Sequence, residues 1–523
     1  MNMGTIGIVF FIFGLLDVSL CQSVQQPCVP YMLENYTVPS GEQLSFTCLC
    51  NATYCDTFLT PVAPEYPLFL DVTSDRQQHR FFQTVAEFQA AGSPDDSDDA
   101  WFDLTDIEAQ AILGFGGAVT DSAAFNVLSL SPVTQDQLLR AYYSSSGLEY
   151  NLNRINIGGC DFSSRGYTYV DTEGDVALET FALQPEDLEQ KIPVIHRINA
   201  MSDEEVLTFA AAWSAPGWMK TNGDLVGYGQ LLETMYQPWA EYHVKFLDAY
   251  AAQNVSIWGI STQNEPTDGN IPGFSFNCMG WTPETQRKFL VENFGPALEQ
   301  HGYDSLKVMV FDDQRPYLPE WVSHILEDPE AFAYADGIAV HWYIDYVSDN
   351  ILNLTHHLYP DKFILATEAC EGSNPGQEAV ILGSWHRLET YAADIIEDLE
   401  NWVIGWVDWN IALDLEGGPN WSYNFVDSPI IVDAAADEFY KNPMYYAMGH
   451  FSKFIRRGAV HLQLNSVRDG GLRTTAFRNP DGSVAIVILN RQDVAANVTI
   501  TAEPRGALRV TAGAKSLKTL LFK

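Results

Sequence analysis

PWAEYHVKFLDAYAAQNVSIWGISTQNEP, residues 238–266, decides the fold of this chain. Its first half carries apolar residues at helical spacing behind an early proline. Its second half is a short β-rich apolar run ending in Asn264-Glu265-Pro266. A helix feeding a strand in this way is one unit of an alternating α/β chain, and the unit recurs. Eight β-rich runs can be picked out, most of them separated by a helical pattern. The first four are ILGFGGAVTD (112–121), YNLNRINIGG (150–159), LTFAAAWSAP (207–216) and SIWGISTQNEP (256–266). The others are LKVMVFDDQ (306–314), ADGIAVHWY (335–343), KFILATEAC (362–370) and NWVIGWVDWN (401–410). Ser131-Pro132 and Thr282-Pro283 each supply a cap and a proline at a first helical position. Eightfold alternation predicts an α/β chain closed into a (β/α)8 TIM barrel, with a doubly wound open sheet as the alternative.

Outside these runs the period changes. Residues 458–523 show short alternating segments, SVAIVIL and NVTITA among them, with a turn at Asn479-Pro480-Asp481-Gly482. This predicts an all-β sandwich module, completed from the other chain end by the cysteine-rich residues 28–80. The expected division is a leader over 1–21, a disulfide-clipped part of the β module over 22–80, the barrel over 81–457 and the rest of the β module over 458–523. Residues 411–440, rich in Gly, Pro, Asn and Asp, form a long insertion after the last barrel strand, and such loops are usually functional.

A chain of 523 residues exceeds one ordinary core. Sixty-eight acidic against 28 basic residues give a net charge of −40, which argues against nucleic acid as a partner. A pI near 4.4 fits an acidic compartment. Ile6–Leu16 with Ser19-Leu20-Cys21 reads as a secretory signal, though no Lys or Arg precedes the apolar run. No later stretch is long enough to span a bilayer. Cys28, Cys48, Cys50 and Cys55 crowd the mature amino terminus, where two disulfides fit an oxidising compartment and three pairings are open. Zinc is the rival for these thiols, but no His follows at ligand spacing. Cys160, Cys278 and Cys370 read as buried thiols. N-x-S/T sequons at Asn35, Asn51, Asn254, Asn353, Asn420 and Asn497 are candidate glycosylation sites.

Barrel chemistry sits at the carboxyl ends of the strands. Those ends carry Asp121, Asp161, Trp218, Asn264-Glu265, Asp312-Asp313, His341-Trp342-Tyr343, Glu368 and Trp409-Asn410. Aromatics, carboxylates and amides in one mouth suit a sugar, whose C–H faces stack on indole and whose hydroxyls bind carboxylate and amide. Glu265 and Glu368 each end an apolar run, where a carboxylate is either satisfied by partners or kept for chemistry. Two of them at one mouth supply what glycoside hydrolysis needs, one acid and one nucleophile or base. Arg154 is a candidate partner of either, and Asp312-Asp313 is expected to be a structural pair held by Arg315 or backbone. GFGGAVTD begins like a dinucleotide fingerprint, but Val119 stands where the third glycine belongs. The eleven histidines show no metal spacing, His341 included, and there is no G-x-S-x-G elbow. Neither a metal nor a cofactor is expected.

GFGGAVTDSAA, PGWMKTNG, NEP, GIAVHWY, TEAC and GGPNWSYNFVDSPIIVD, in this order, closely resemble the acid glucosylceramidases of glycoside hydrolase family 30, over nearly the whole mature chain. The resemblance implies a retaining β-glucosidase that hydrolyses glucosylceramide, reached by way of the secretory pathway in the lysosome, with secretion as the alternative. It makes Glu265 the acid/base and Glu368 the nucleophile. It places Asp121, Trp218, Asn264, Trp409 and Asn424 on the glucose, and Tyr343 and Arg154 beside the nucleophile. Asn264 is expected at the 2-hydroxyl, where the bond strengthens in the transition state, and His341 is expected in support. The resemblance pairs Cys28 with Cys48 and Cys50 with Cys55. It also implies contact with an anionic lipid surface and a saposin-type activator. A charge of −40 opposes that contact above the pI, so local apolar groups, Trp281 and the 411–424 loop, are expected to mediate it. Two close carboxyls cannot both ionise readily, and Glu265 is expected to be the protonated one in the free enzyme. Another retaining β-glycosidase of this fold, acting on steryl glucosides or oligosaccharides, and a non-catalytic glycolipid-binding protein are the alternatives.

Overall fold

A computed structural model describes residues 25–523 apart from 33–37, 39–40, 93–97, 346, 349 and 375. The expected leader and the sequon at Asn35 lie outside the described residues. All eight runs form parallel strands: β1 (Gly114–Ala118), β2 (Leu152–Ile157), β3 (Leu207–Ala212), β4 (Gly259–Ser261), β5 (Lys307–Gln314), β6 (Gly337–His341), β7 (Phe363–Glu368) and β8 (Val403–Asp408). They close on themselves, with β8 beside β1 in the register Gly405↔Gly114 to Asp408↔Gly117. Closure removes the open doubly wound sheet as an alternative.

Alternation explains how a barrel interior is filled and how its top layer becomes polar. Leu152, Phe209, Met309, Ala339, Leu365 and Val407 form one buried cluster from six of the strands. Two residues beyond Leu152 on the same face comes Arg154, fully buried. The glycines of β1 serve close packing: a Cβ on Gly116 would lie 1.8 Å from the Leu152 carbonyl oxygen. Outside, the helix Tyr236–Ala252 covers the barrel with Trp239, Tyr242, Phe246 and Tyr250 buried. Thr282 caps the helix Pro283–Phe289 reciprocally with Thr285. Ser131 precedes the helix Pro132–Tyr143 but makes no side-chain cap. Instead its N–H and hydroxyl both donate to Asp437, each at 2.7 Å.

Two further sheets correct the expected domain division. A nine-stranded sheet joins Leu68–Asp75, Phe82–Glu87 and Ala100–Ala111 to all six strands from Val460 to Phe522. The β module therefore takes its amino-terminal share from residues 68–111, of which only 68–80 fall within the expected 22–80, and the barrel begins at β1. The cysteine-rich segment goes elsewhere. Thr47–Asn51 pairs antiparallel with Glu438–Lys441, which pairs with Ile430–Asp433 of the 411–440 insertion. This small sheet carries the disulfides Cys28–Cys48 and Cys50–Cys55, so the two segments brace each other beside the barrel mouth. Alternation alone could not say which of two sheets a short strand would join. Cys160, Cys278 and Cys370 are buried thiols, as expected. Among the described residues no helix is long and apolar enough to cross a membrane.

Candidate active site

A cavity of about 290 Å³ opens at the carboxyl ends of the strands, with Glu265 and Glu368 both in its wall. A larger groove of about 530 Å³ lies at the opposite end, beside the starts of β3, β4 and β5. It has no convergent pair of carboxylates on different strands, so volume does not locate the chemistry.

Strand irregularities aim the site. The β6–β7 register slips by one residue so that His341 stands beside Glu368. In β5 a bulge between Phe311 and Asp313 leaves Asp312 unpaired, with φ of +79° at Phe311 and +58° at Asp312. Glu265 also holds a left-handed φ, +40°, and non-glycine residues occupy that region only where their surroundings impose it. A carboxylate oxygen of Glu265, one of Glu368 and a ring nitrogen of His341 all lie within 4.8 Å of one another.

Arg154 is the hub. Its Nη1 donates to Glu368, and its Nη2 donates to the Asn264 side-chain oxygen at 2.7 Å and to Asp312 at 3.1 Å. Its guanidinium lies over the rings of Trp213 and Trp409, which stack 5.2 Å apart. Tyr343 donates its hydroxyl to Glu368 at 2.7 Å. His341 bridges Glu265 and Asp312, with both contacts at 3.0 Å. Gln314 donates to the same oxygen of Glu265 at 2.7 Å.

Charges follow from these contacts. Burial disfavours an imidazolium at His341, but Glu368, Asp312 and Glu265 outweigh it and raise the ring to about 10. A ring held as a cation donates from both nitrogens, here to Glu265 and Asp312. Burial opposes ionisation of Asp312, yet Arg154 and His341 hold it well below the carboxylate range. Asp312 thus belongs to the site, contrary to the expected pairing with Arg315, whereas Asp313 is held by backbone N–H groups of Thr267 and Gln314 as expected. The two glutamates shift in directions opposite to those expected. Burial raises Glu368 more than Arg154 and His341 lower it. At Glu265 burial is outweighed by His341, Asp268 and Arg154, so its carboxyl sits below its ordinary value. The reason is the number of donors that converge on Glu265.

Other expectations divide. Trp409 and Asn424 line the cavity. Asn264 is buried next to Glu265, its side-chain oxygen accepting from Arg154 at 2.7 Å. Asp121 is not at the cavity: it is consumed by Ser163 at 2.6 Å, Tyr167 at 2.9 Å and Lys191 at 2.9 Å. The wall carboxylate from this part of the barrel is Asp161, which accepts from Asn424 at 2.9 Å and Asn420 at 3.2 Å. Burial lifts it to about 7 against those hydrogen bonds. Trp218 also lies away from the cavity, its indole donating to the Val170 carbonyl at 3.0 Å. Trp213, the residue directly after β3, takes the wall position, and its place at the strand end was the signal that could have found it. Gln314 could have been found the same way.

Asn420 is buried, and its side chain is engaged with Asp161, Asn424 and Ser422, so this sequon is structural and not a glycan site in the folded chain. Asn254 and Asn497 are exposed. Asn51 accepts from Thr53 and Tyr54, and Asn353 accepts from the Trp402 indole at 2.9 Å. Trp281 is buried and donates to Gln263, which removes it as a lipid contact, whereas Tyr423 in the 411–424 loop is 82% exposed.

Comparison with known proteins agrees with this architecture. The family model described as the glycosyl hydrolase family 30 TIM-barrel domain matches residues 112–455, and that for the family's beta sandwich domain matches 458–520. The chain is 43% identical over 507 residues to the lysosomal acid glucosylceramidase of Mus musculus, covering 95% of this chain and 96% of that protein. Among solved structures, SrfJ from Salmonella typhimurium aligns with a TM-score of 0.80 at 27% identity, covering 87% of this chain and 99% of that one. The endo-β1,6-glucanase BT3312 aligns with a TM-score of 0.76 at 26% identity, with the same coverage of each.

Proposed function

The chain belongs to glycosyl hydrolase family 30, and on that premise we propose that it is a retaining β-glucosidase whose substrate is glucosylceramide. The observation that carries the proposal is the pair Glu265 and Glu368, with oxygens within 4.8 Å across one cavity. Retention needs carboxyl groups about 5–5.5 Å apart, whereas inversion needs room for a water and about 6.5–9.5 Å. Glu368, steered by Arg154 and Tyr343, attacks the anomeric carbon. Glu265 protonates the departing oxygen, and the same group then takes a proton from the water that releases the sugar. As charge leaves Glu368 on forming the glycosyl bond, Arg154 remains balanced by Asp312. Asn264, its oxygen taken by Arg154, offers its NH2 group to the 2-hydroxyl. Asp161 and Asn424 suit the remaining hydroxyls, and Trp213 and Trp409 suit the sugar's C–H face.

The aglycone side favours a lipid. Ile271, Phe274, Phe276, Tyr317 and Ile344 line the outer cavity. An apolar rim of this kind suits acyl or sphingoid chains better than a second glucose. The similarity to the mouse lysosomal acid glucosylceramidase supports the same substrate and a lysosomal location. The exposed Tyr423 supports a peripheral lipid contact through the 411–424 loop, and a saposin-type activator is part of the same proposal. A glucan substrate is the second reading, favoured by the similarity to an endo-β1,6-glucanase.

The test is hydrolysis at pH 5 of glucosylceramide in anionic vesicles, galactosylceramide in the same vesicles, and a soluble β1,6-glucan. Turnover of glucosylceramide alone is expected. Preference for the glucan rejects the lipid substrate. Glu368→Gln is expected to lose at least about 10²–10⁴-fold in kcat, the usual worth of one catalytic group. Equal turnover by that variant removes the proposed nucleophile.

A further inference from the structure

Glu265 has an acidic neighbour that the two-glutamate mechanism leaves unused. Asp268 lies three residues on, at the start of the short turn Asp268–Asn270, and its N–H donates to the Glu265 carbonyl at 3.0 Å. Both residues line the cavity, and their carboxyl groups lie within hydrogen-bonding reach of each other. Two carboxyl groups can form a hydrogen bond only through a proton that one of them holds. Resting on the glycosidase reading above, we propose that Asp268 is the proton-sharing partner of Glu265, keeping beside it the proton that Glu265 delivers to the leaving oxygen.

The turn that carries Asp268 is rigidly placed. A Cβ on Gly269 would lie 1.9 Å from the Gly280 nitrogen, so two backbones meet there without space to move. The Trp281 N–H donates to the Pro266 carbonyl at 2.9 Å, and Asn270 Nδ2 donates to the Trp281 carbonyl at 2.7 Å. Thr267 N–H donates to Asp313 at 3.0 Å.

The surroundings decide where the proton rests. Asp268 is faced by Glu265 from its own segment, by Asp313 from the end of β5 and by the Cys278 thiol, with no cation among them. The cations His341 and Arg154 lie on the Glu265 side, Arg154 shared with Glu368 and both shared with Asp312. Burial and the neighbouring Glu265 push Asp268 far above the carboxylate range, while Glu265 sits below its own. The resting proton is therefore on Asp268, donated to Glu265.

The step balances. As the glycosidic C–O bond breaks, Glu265 gives a proton to the aglycone oxygen and takes the one Asp268 holds, which leaves Asp268 ionised. In deglycosylation the attacking water gives its proton to Glu265, and the pair is restored with one proton. A pair that shares a proton loses it at higher pH than a lone carboxyl. Asp268 is a positioning residue, and it extends acid catalysis toward neutral pH.

The test is the pH profile of kcat/KM for the full chain and for Asp268→Asn, on an alkyl β-glucoside, which needs protonation, and on a dinitrophenyl β-glucoside, which does not. With the alkyl substrate the alkaline limb of the variant is expected to fall by about one pH unit, equivalent to about tenfold at a fixed pH on that limb. The loss on the dinitrophenyl substrate is expected to be smaller at every pH, and Asp268→Glu is expected to keep the wild-type limb. Superimposed profiles overturn the proposal, as does a loss uniform in pH and equal for both leaving groups. Trapping of Glu368 by a 2-fluoro-glucoside reports a folded site without acid help. Where the asparagine variant fails to trap, Asp268→Ser is read by the same criteria. A wild-type protein inactive on every β-glycoside would instead defeat the glycosidase reading itself.

Discussion

Trp213 and Trp218 stand five positions apart in one loop and do different work. Trp213 stacks on Trp409 beneath Arg154 at the cavity wall, whereas Trp218 donates to a backbone carbonyl away from it. Trp213→Ala is expected to raise KM for soluble β-glucosides and lower kcat/KM by about tenfold or more, since aromatic contacts are worth about 0.5–1.5 kcal/mol beyond the area they bury. Trp218→Ala is expected to lower stability and leave KM within about twofold, so melting temperature and KM together separate the two. The motif PGWMKTNG contained only Trp218, whereas Trp213 ends the strand run before it, and the strand end is what marks the wall position. Asp121 and Asp161 pose the same problem: both follow strands, but Lys191 and Ser163 consume the first while the second faces the cavity. A side chain's partners come from other segments, so a motif places a residue near a site without telling which way it points.

Between elements, Arg315 does for the outer layer what Arg154 does for the mouth. It follows β5 and reaches Asp398 at 2.5 Å and Asp394 at 3.1 Å on the helix Trp385–Glu400, and Asp345 beyond β6 at 3.0 Å. Three elements therefore converge on one buried guanidinium. Arg315→Met keeps the volume but strands these carboxylates, and is expected to cost about 3–5 kcal/mol in urea unfolding, the usual effect of removing one partner of a buried pair. A loss below about 1 kcal/mol would mean that the carboxylates stay protonated and need no cation. At this scale the strands were well legible, because each barrel strand is a short apolar run between turns. The small sheet was not. Thr47–Asn51 and Glu438–Lys441 meet across most of the chain, and nothing in either segment names the other.

For the molecule as a whole, burial of acids sets the pH response. Burial raises both Asp161 and Asp313 to about 7. In the unfolded chain such groups ionise near 3.9. Between about pH 4 and 7 the folded state therefore binds more protons, and stability falls as pH rises through that window. Asp312 acts in the opposite sense, but its stabilisation is lost only at pH below the carboxylate range. The melting temperature is expected to be higher at pH 5 than at pH 7.5. Asp313→Asn should flatten the difference, and a melting temperature that rises toward neutral pH would contradict the assignment. A net charge of −40 adds to this trend, since self-repulsion grows as the remaining carboxyls ionise.

Sequence by itself determined the barrel, its eight strands, the strand-end glutamates and the module of alternating strands after residue 458. These are local properties: apolar period, strand length and the residue that follows a strand depend on neighbours in the chain. The resemblance carried by its motifs added the roles proposed for Glu265 and Glu368 and the disulfide pairing. Only the tertiary structure decided which tryptophan and which aspartate face the cavity, where Asp312 belongs, which glutamate its neighbours shift up and which down, and that Asn420 is buried. Those outcomes depend on distances between segments hundreds of residues apart, and on the burial and charge that such distances create.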